Sequence, residues 1–448
     1  MEKKQFMSRK KARILLFSSA LVIVLLITSV VQTVRANKYE QEATLAKQMA
    51  LSALDENLNN ISTNLEKTIY VSTPTMLSKL SAELWREASG AKMNLSMLPT
   101  GENTISNTYK FLSQVGEFVM SLERKSANGE KLTDDERKQL KDLYSFCISL
   151  NEQVNQMCYD MQNNNFSFEE IDSTIMNSNS DLKIASQGFE DTEQTLTDLP
   201  TLIYDGPFSD HLTQSEPKFI NNLEKISKEK ALEIAKSVCI SEKDELIFSH
   251  EDDGDIPCYV FKNENCSVAI TKQGGKPCYM LNTQFSGESK IKYSEAIRNA
   301  ESFLNKIGYK NMKESYYFTD DGICTINFAA TKDGIIMYPD LIKVSVCLEK
   351  GNVLSFDASG YISNHIEREN LNVTLSEGDA ESIINDHLKI IDTQLCVIPT
   401  EWATEQLCYE IHCKTDEGQD LLIYIDSKTG EEDNILILLY SDGGVLTK

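Results

Sequence analysis

Proline and glycine are scarce in this chain of 448 residues, which has 9 prolines and 20 glycines. Their combined share is about half of that in an average protein, which excludes a collagen-like chain and a disordered chain rich in these residues. The length suits several domains of roughly 100–200 residues each. Because helix-breaking residues are few, we expect helix to dominate at least one of them.

Basic residues are also few relative to acidic residues. The chain has 44 Lys and Arg against 68 Asp and Glu, for a formal net charge of −24. An electrostatic field of this sign repels phosphate backbones, so we expect no nucleic acid partner.

The common catalytic motifs are missing from the sequence. It contains no G-x-S-x-G, H-E-x-x-H, G-x-x-x-x-G-K-[ST] or G-x-G-x-x-G motif. Ser209, Asp210 and His211 are consecutive, and neighbouring side chains of an extended chain point apart, which argues against a catalytic triad. We therefore predict a protein that is not an enzyme, with no catalytic residues and no cofactor.

The sequence also lacks a recognisable metal or redox motif. Its 11 cysteines include no C-x-x-C pair. Cys408 and Cys413 flank His412, but in an alternating stretch they are expected on opposite faces of a sheet. The acidic run 251–255 lacks the twelve-residue calcium-loop pattern. We expect no metal site, and most thiols to behave as small buried apolar groups.

One long apolar run lies near the N-terminus. Ile14–Val31 has no charge, glycine or proline, and as a helix it would extend about 27 Å, enough for a bilayer core. Basic residues precede it, which favours a cytoplasmic N-terminus and an extracytoplasmic body. A single-pass anchor in membrane lipid is the first interpretation. The alternative is a cleaved signal peptide with Val34 and Ala36 before the cut.

The segment 38–200 shows helical periodicity. Apolar residues recur every three or four positions in 51–65 and 77–98, which predicts amphipathic helices. Thr73 and Pro74 suit the cap and first residue of a helix, and Thr133 with Glu136 forms a capping box. The same device at 167–170 predicts a fifth helix. Short loops indicate an antiparallel helical bundle.

Trp85 is a candidate interaction residue within this region. It stands beside Arg86 in a charged helical stretch. It fits either a binding face or an ordinary interfacial tryptophan.

Three similar blocks follow the helical segment. Each begins with an amphipathic helix that reaches Ala231, Ala296 or Ala380. Each ends with two β-branched residues spaced by one, four further residues and a glycine, which is Gly275, Gly351 or Gly430. A helix followed by an antiparallel meander predicts a small α+β unit that leaves edge strands and an open sheet face for binding a neighbour or an extended polypeptide.

The predicted fold is therefore helical in its first half and α+β in its second, as a multidomain chain. The predicted segments are a cytoplasmic tail (1–13), a transmembrane helix (14–34), a helical bundle (38–200), a junction (201–222) and three helix-on-antiparallel-sheet repeats (223–290, 291–366 and 371–448).

Several long stretches resemble one family. The runs Leu65–Pro99, Leu132–Glu136 and Leu199–His211 (LPTLIYDGPFSDH) look like those of the YpeB family of spore germination proteins, and the three blocks resemble PepSY repeats. Pro277 departs from the other blocks and puts the regularity of the last strand of the first block in doubt.

The resemblance implies a function and a location. It implies a non-enzymatic protein of the forespore and spore inner membrane that is needed with the cortex-lytic enzyme SleB for cortex hydrolysis on germination. It would stabilise or restrain this hydrolase through its PepSY sheets. An extracytoplasmic sensor and a peptidoglycan-binding protein without a hydrolase partner are the alternatives.

The junction carries the second candidate site. Glycine followed by proline constrains the backbone and aromatic side chains can anchor it, so a fixed interdomain turn is predicted. An ordinary linker is the alternative. The residues of this predicted turn are Tyr204, Asp205, Gly206, Pro207 and Phe208.

Overall fold

The structure is a computed structural model, and its described residues form two compact units. The described residues are 9–98, 102–127, 129–162, 217–239, 245–283, 289–369, 371–400, 404–441 and 444–448. The first unit takes its residues from Met1–Ser62, Glu83–Val119 and Asp142–Asp198. The second takes them from Thr63–Ala82, Met120–Lys141 and Leu199–Lys448.

The first half of the chain is helical, as predicted. Its described helices are α1 (Arg9–Tyr70), α2 (Pro74–Ser96), α3 (Glu102–Ala127) and α4 (Asp134–Gln162). The fifth helix predicted from 167 onward lies outside the described residues.

The predicted apolar stripes form the core of the first unit. The apolar residues of the predicted pattern, which recur every three or four positions, are buried. This is the arrangement of amphipathic helices that pack against each other. Phe111 contacts Phe146 edge to face, with ring centroids 4.5 Å apart. The fully buried residues here include Leu51, Leu54, Leu58, Ile61, Leu84, Ala91, Leu112 and Val115.

Both predicted helix caps are confirmed. Pro74 is the first residue of α2, and the Met76 amide donates to Thr73 Oγ1 at 3.4 Å. Before α4, the Glu136 amide donates to Thr133 Oγ1 at 3.3 Å while the Thr133 amide donates to Glu136 Oε2 at 2.8 Å. These bonds satisfy amides that the first turn of a helix leaves free.

Within the described part of the chain, no helix combines the length and the apolar character needed to cross a membrane. The anchor predicted for 14–34 stays a prediction.

The second half folds as a repeated helix followed by antiparallel strands. Its helices are α5 (Lys228–Val238), α6 (Tyr293–Ile307), α7 (Ser359–Asn364) and α8 (Glu377–Glu381). Its strands are β1 (Ile247–Asp252), β2 (Cys258–Lys262), β3 (Cys266–Thr271), β4 (Pro277–Asn282), β5 (Met312–Asp320), β6 (Ile323–Lys332), β7 (Ile335–Cys347), β8 (Val353–Asp357), β9 (Lys389–Pro399), β10 (Glu405–Lys414), β11 (Asp420–Asp426), β12 (Glu432–Ser441) and β13 (Gly444–Thr447).

The described strands form one sheet. Their order is β1-β2-β3-β4-β8-β7-β6-β5-β13-β12-β11-β10-β9, and β7 also pairs with β9 in parallel. Repeats 1 and 2 join where the last strands of both meet, through β4 and β8. The edge strands that the sequence predicted as free are therefore partly used to connect one repeat to the next.

The glycine that closes each block occupies equivalent positions in the three repeats. Gly275, Gly351 and Gly430 all have positive φ, at 62°, 75° and 78°. A Cβ atom at Gly351 would lie 2.6 Å from Asn299 Nδ2, and one at Gly275 would lie 2.8 Å from Ile226 Cδ1. Glycine is favoured by the turn conformation and by the close approach of a side chain from the helix, Asn299, or from the segment before it, Ile226.

The alanine near each helix start is also a repeated packing position. Ala231, Ala296 and Ala380 are fully buried. A small side chain lets the helix approach the sheet closely. The helix of the third repeat, α8, has only five residues.

The irregularity predicted at Pro277 is confirmed, and a two-residue turn joins the first two strands of repeat 2. Asp321 and Gly322 have φ of 44° and 75°, which are the values of a two-residue hairpin turn between β5 and β6. Pro277 begins β4, and the register of β3 with β4 shifts beside it.

The expectation that most thiols are buried and free is confirmed, and one pair departs from it. Cys239 and Cys266 form a disulfide that joins the end of α5 to the start of β3. This pairing was not predicted, because the two residues are 27 positions apart and belong to different elements. The other nine cysteines are free and buried, as expected.

Candidate interaction surface

The structure describes one of the predicted interaction residues. Trp85 lies on α2 in the first unit with 58% of its surface exposed. Its indole packs against Gly116 of α3: a Cβ atom added at Gly116 would lie 3.3 Å from Trp85 Cδ1. Its neighbour Arg86 pairs with Glu87 at 3.0 Å. The five residues of the junction turn, 204–208, lie outside the described residues, so that turn stays a prediction.

The acidic run before β2 is paired with lysines. Lys272 Nζ lies 2.7 Å from Glu251 and 2.5 Å from Asp253, and Lys228 Nζ lies 2.8 Å from Glu251. Hydrogen bonds from Lys228 and Lys272 lower the pKa of Glu251 to about 2. Among the described residues, no group of three or more His, Cys, Asp or Glu is placed to hold a metal ion.

Three histidines are each bonded to an aspartate. His365 Nδ1 is 2.6 Å from Asp340, and His412 Nε2 is 2.8 Å from Asp420. His387 of the third repeat is 3.2 Å from Asp134. These contacts join separate segments of the second unit, which is the arrangement of structural hydrogen bonds.

A row of residues crosses the sheet of repeats 1 and 2 on one face. Residues directly opposite on neighbouring strands share a face, and the pairing can be followed from β1 to β5 without a break. We call these residues the open row. In order of the strands they are Ile247, Lys262, Ser267, Leu281, Ser355, Ser345, Thr325 and Phe318.

The open row is accessible to solvent. Ile247 is 66% exposed and Leu281 is 52% exposed, Lys262 is exposed, and the others are partly exposed. Thr325 Oγ1 and Ser345 Oγ lie 3.0 Å apart in a hydrogen bond. The row therefore offers hydroxyl groups and aliphatic side chains together, with a single positive charge.

The opposite face of the same strands is covered. Residues adjacent to the open row point to the other side, because side chains alternate along a strand. They pack into one core with Ala231 of α5 and Ala296 of α6. These core residues are Val268, Met280, Phe356 and Val344. The helices thus cover one face and leave the open row on the other.

Strand β1 is an edge of the sheet. All six of its residues are exposed, and among the described strands it pairs with β2. Phe248 contacts Phe261 at 6.0 Å between ring centroids, and Lys228 Nζ lies 4.2 Å from the Phe248 ring. An edge strand presents unpaired amide and carbonyl groups to which a further strand can add.

Sequence reasoning predicted an open face in each repeat but missed the row as a whole. The residues of the row come from eight strands, and their alignment depends on the pairing of β4 with β8. No local pattern encodes that pairing. The alternation of polar and apolar residues in 343–346 and 354–356 is the signal that was present.

Two family models match the chain. The model described as YpeB N-terminal matches residues 35–170. The model described as YpeB sporulation, PepSY1 and PepSY2 domains matches residues 185–371.

Curated relatives agree with these matches. Sporulation protein YpeB of Halalkalibacterium halodurans is 27% identical over 403 residues, covering 87% of this chain and 88% of the relative. Sporulation protein YpeB of Bacillus subtilis is 23% identical, with the same coverage. The structure of the Bacillus megaterium YpeB C-terminal domain is 23% identical, with a TM-score of 0.44, and the match covers 48% of this chain and all of that one. The chain belongs to the YpeB family of sporulation proteins.

Proposed function

We propose that this protein is a non-enzymatic partner of SleB, the cortex-lytic hydrolase, and that it stabilises or restrains this enzyme so that the spore cortex is hydrolysed on germination. Family membership supports a role in sporulation. The observation that carries the partner role is the continuous sheet of repeats 1 and 2, which has one covered face and one open face.

The open face has the dimensions of a protein interface. Eight strands at about 4.8 Å spacing extend over about 35 Å, which is the width of a patch of about 800 Å². Exposed aliphatic side chains at Ile247 and Leu281 supply apolar contact area within a polar surround. A surface that combines apolar contact area with hydrogen-bonding side chains is typical of protein association.

The proposal places the protein in a membrane. Residues 14–34 would anchor it in the forespore and spore inner membrane, with residues 1–13 in the cytoplasm and the body toward the cortex. The apolar run and the basic residues before it support this orientation. N-terminal sequencing of the membrane-bound protein distinguishes an intact anchor from a signal peptide cut after Ala36.

The contact surface is tested with a charge introduced into the open row. We expect Leu281→Arg to weaken binding of SleB to the purified extracytoplasmic part by at least tenfold, because it buries an unpaired charge at the interface. Binding is measured by surface plasmon resonance at fixed ionic strength. Ile391→Arg is the matched control, because Ile391 is an exposed aliphatic residue of β9, outside the open row.

Equal binding by Leu281→Arg and the unaltered protein would contradict the assignment of the open row. Release of soluble products from cortex fragments by the purified protein alone would contradict the non-enzymatic role. Binding to cortex fragments without binding to SleB would favour the peptidoglycan-binding alternative.

A further inference from the structure

Strand β7 is shared by repeats 2 and 3. Its second half pairs with β8, while Ile336 and Met337 in its first half pair in parallel with Cys396 and Val397 of β9. Ile336 also lies in one apolar core with residues of the third repeat. Repeat 3 therefore completes its core with a strand of repeat 2.

A bulge separates the two halves of β7. In the register with β6, Ala329 pairs with Leu341 and Ala330 pairs with Met337, which leaves 338–340 as extra residues. Pro339 suits this position because it has no amide to donate to a ladder. The bulge turns Tyr338 toward the third repeat, where its hydroxyl donates to Glu410 at 2.6 Å. It also places Asp340 at the segment that connects the two repeats.

Arg368 in this connecting segment holds both repeats. Its Nη1 and Nη2 donate to the two oxygens of Asp340 in repeat 2, at 2.7 Å and 2.8 Å. Its Nε and Nη2 donate to the two oxygens of Glu405 at the start of β10, both at 2.7 Å. Nη1 also donates to the Ile366 carbonyl at 3.3 Å. All five guanidinium hydrogens therefore have acceptors.

The central pair of this cluster, Arg368 and Asp340, is shielded from water, while Glu405 and His365 are partly exposed. The Asp340 side chain is fully buried, and the Arg368 side chain is nearly so. His365 adds a contact to Asp340 at 2.6 Å and stacks on Tyr361 at 4.4 Å between ring centroids. Removing one member of a buried charge pair leaves the other uncompensated, which is far costlier than losing an exposed pair.

We propose that the charge cluster formed by Asp340, His365, Arg368 and Glu405 couples repeats 2 and 3, so that the two repeats open as one cooperative body. With the cluster intact, β9 and β10 open only together with β6 and β8. Without it, the third repeat opens on its own while the sheet of repeats 1 and 2 stays closed. The cluster thereby controls whether the third repeat is a rigid extension of that sheet.

Hydrogen exchange of the full chain, followed by mass spectrometry of peptides, tests the coupling. In the unaltered protein, the slowest amides of β9 and β10 should exchange at the same rate as those of β6 and β8. In Arg368→Met, we expect exchange in β9 and β10 to become roughly 100-fold faster, while β6 and β8 change by less than about threefold. Arg298→Met is the matched control, because Arg298 is an exposed arginine on α6.

Two results would overturn the coupling. One is unchanged exchange of β9 and β10 in Arg368→Met. The other is equal acceleration of all four strands, which would show a general loss of stability without separation of the repeats. If Arg368→Met fails to fold, Glu405→Gln provides the same test, because it removes one charge, keeps the side-chain shape and should give a separation of about tenfold.

Discussion

Glu432 shows how one residue of the third repeat completes a helix cap at the other end of the sequence. Its carboxylate is only 2% exposed and accepts from the Ser72 amide at 2.9 Å and from the Thr73 amide at 2.8 Å. The Thr73 hydroxyl also donates to it, at 3.1 Å. Burial raises the pKa of this carboxyl, while the backbone hydrogen bonds act in the opposite direction. These contacts join the turn before α2 to β12 within the second unit.

Replacing Glu432 with alanine should destabilise the second unit. The substitution leaves buried amides of Ser72 and Thr73 without their acceptor, and we expect the free energy of unfolding to fall by about 2–3 kcal/mol. Urea unfolding followed by circular dichroism at neutral pH measures this. Glu245→Ala serves as the control, because the Glu245 side chain is 80% exposed and should change stability little. A loss equal to that of the control would contradict the capping role.

The two sides of this cap differ in how predictable they are. Thr73 and Pro74 are neighbours in the sequence, and local capping preferences were enough to predict the start of α2. Glu432 is 359 residues from Thr73, and nothing in its own neighbourhood distinguishes it from the adjacent Glu431 and Asp433. The same reason explains why Arg368 and its two carboxylates were not predicted.

At the scale of elements, the repeat is fixed by a small set of backbone contacts. The segment before each helix crosses the closing turn, where the Ile226 amide donates to the Lys272 carbonyl at 2.9 Å. The Ile291 amide donates in the same way at 2.8 Å in the second repeat, as does the Leu375 amide in the third. In each repeat the closing glycine comes three residues after the carbonyl that accepts this hydrogen bond. This explains why the spacing between the glycine and the preceding strand is constant.

Gly351→Ala tests how closely α6 packs on the closing turn of the second repeat. Its φ of 75° disfavours a side chain, and the added Cβ would meet Asn299 at 2.6 Å. We expect a loss of about 2–3 kcal/mol in the free energy of unfolding. Gly334→Ala isolates the contact, because Gly334 has a similar φ of 84° but no atom within 4 Å of its added Cβ. Its cost should be about 1 kcal/mol, that of the backbone conformation alone.

Chemical denaturation of both variants and the parent decides this point. Similar losses for Gly351→Ala and Gly334→Ala would mean that only backbone conformation matters and that α6 packs loosely on the closing turn.

The elements of each repeat were largely predictable, whereas their connections were not. Periodicity, turn residues and the closing glycine indicated the helix and the hairpins. The joining of β4 to β8 and of β7 to β9 depends on shape and backbone pairing between strands distant in sequence. Pro339 was visible in the sequence, but the bulge that it accommodates could be seen only in the structure.

At the scale of the whole molecule, the three repeats are parts of one sheet. The order of strands runs without a break from the exposed edge strand β1 to β9. The open row spans repeats 1 and 2 of this sheet, and neither repeat alone contains it. The proposed partner role rests on this continuity, because it gives small repeats a surface large enough to hold another protein.

The most direct test of the proposed function is the amount of SleB, together with cortex hydrolysis, in spores whose copy of this gene is deleted. Immunoblotting of dormant spores measures the enzyme, and release of cortex fragments after germination is triggered measures its action. The proposed function predicts loss of SleB and blocked hydrolysis, both restored by the unaltered gene. Normal SleB with normal hydrolysis in the deletion spores would contradict it.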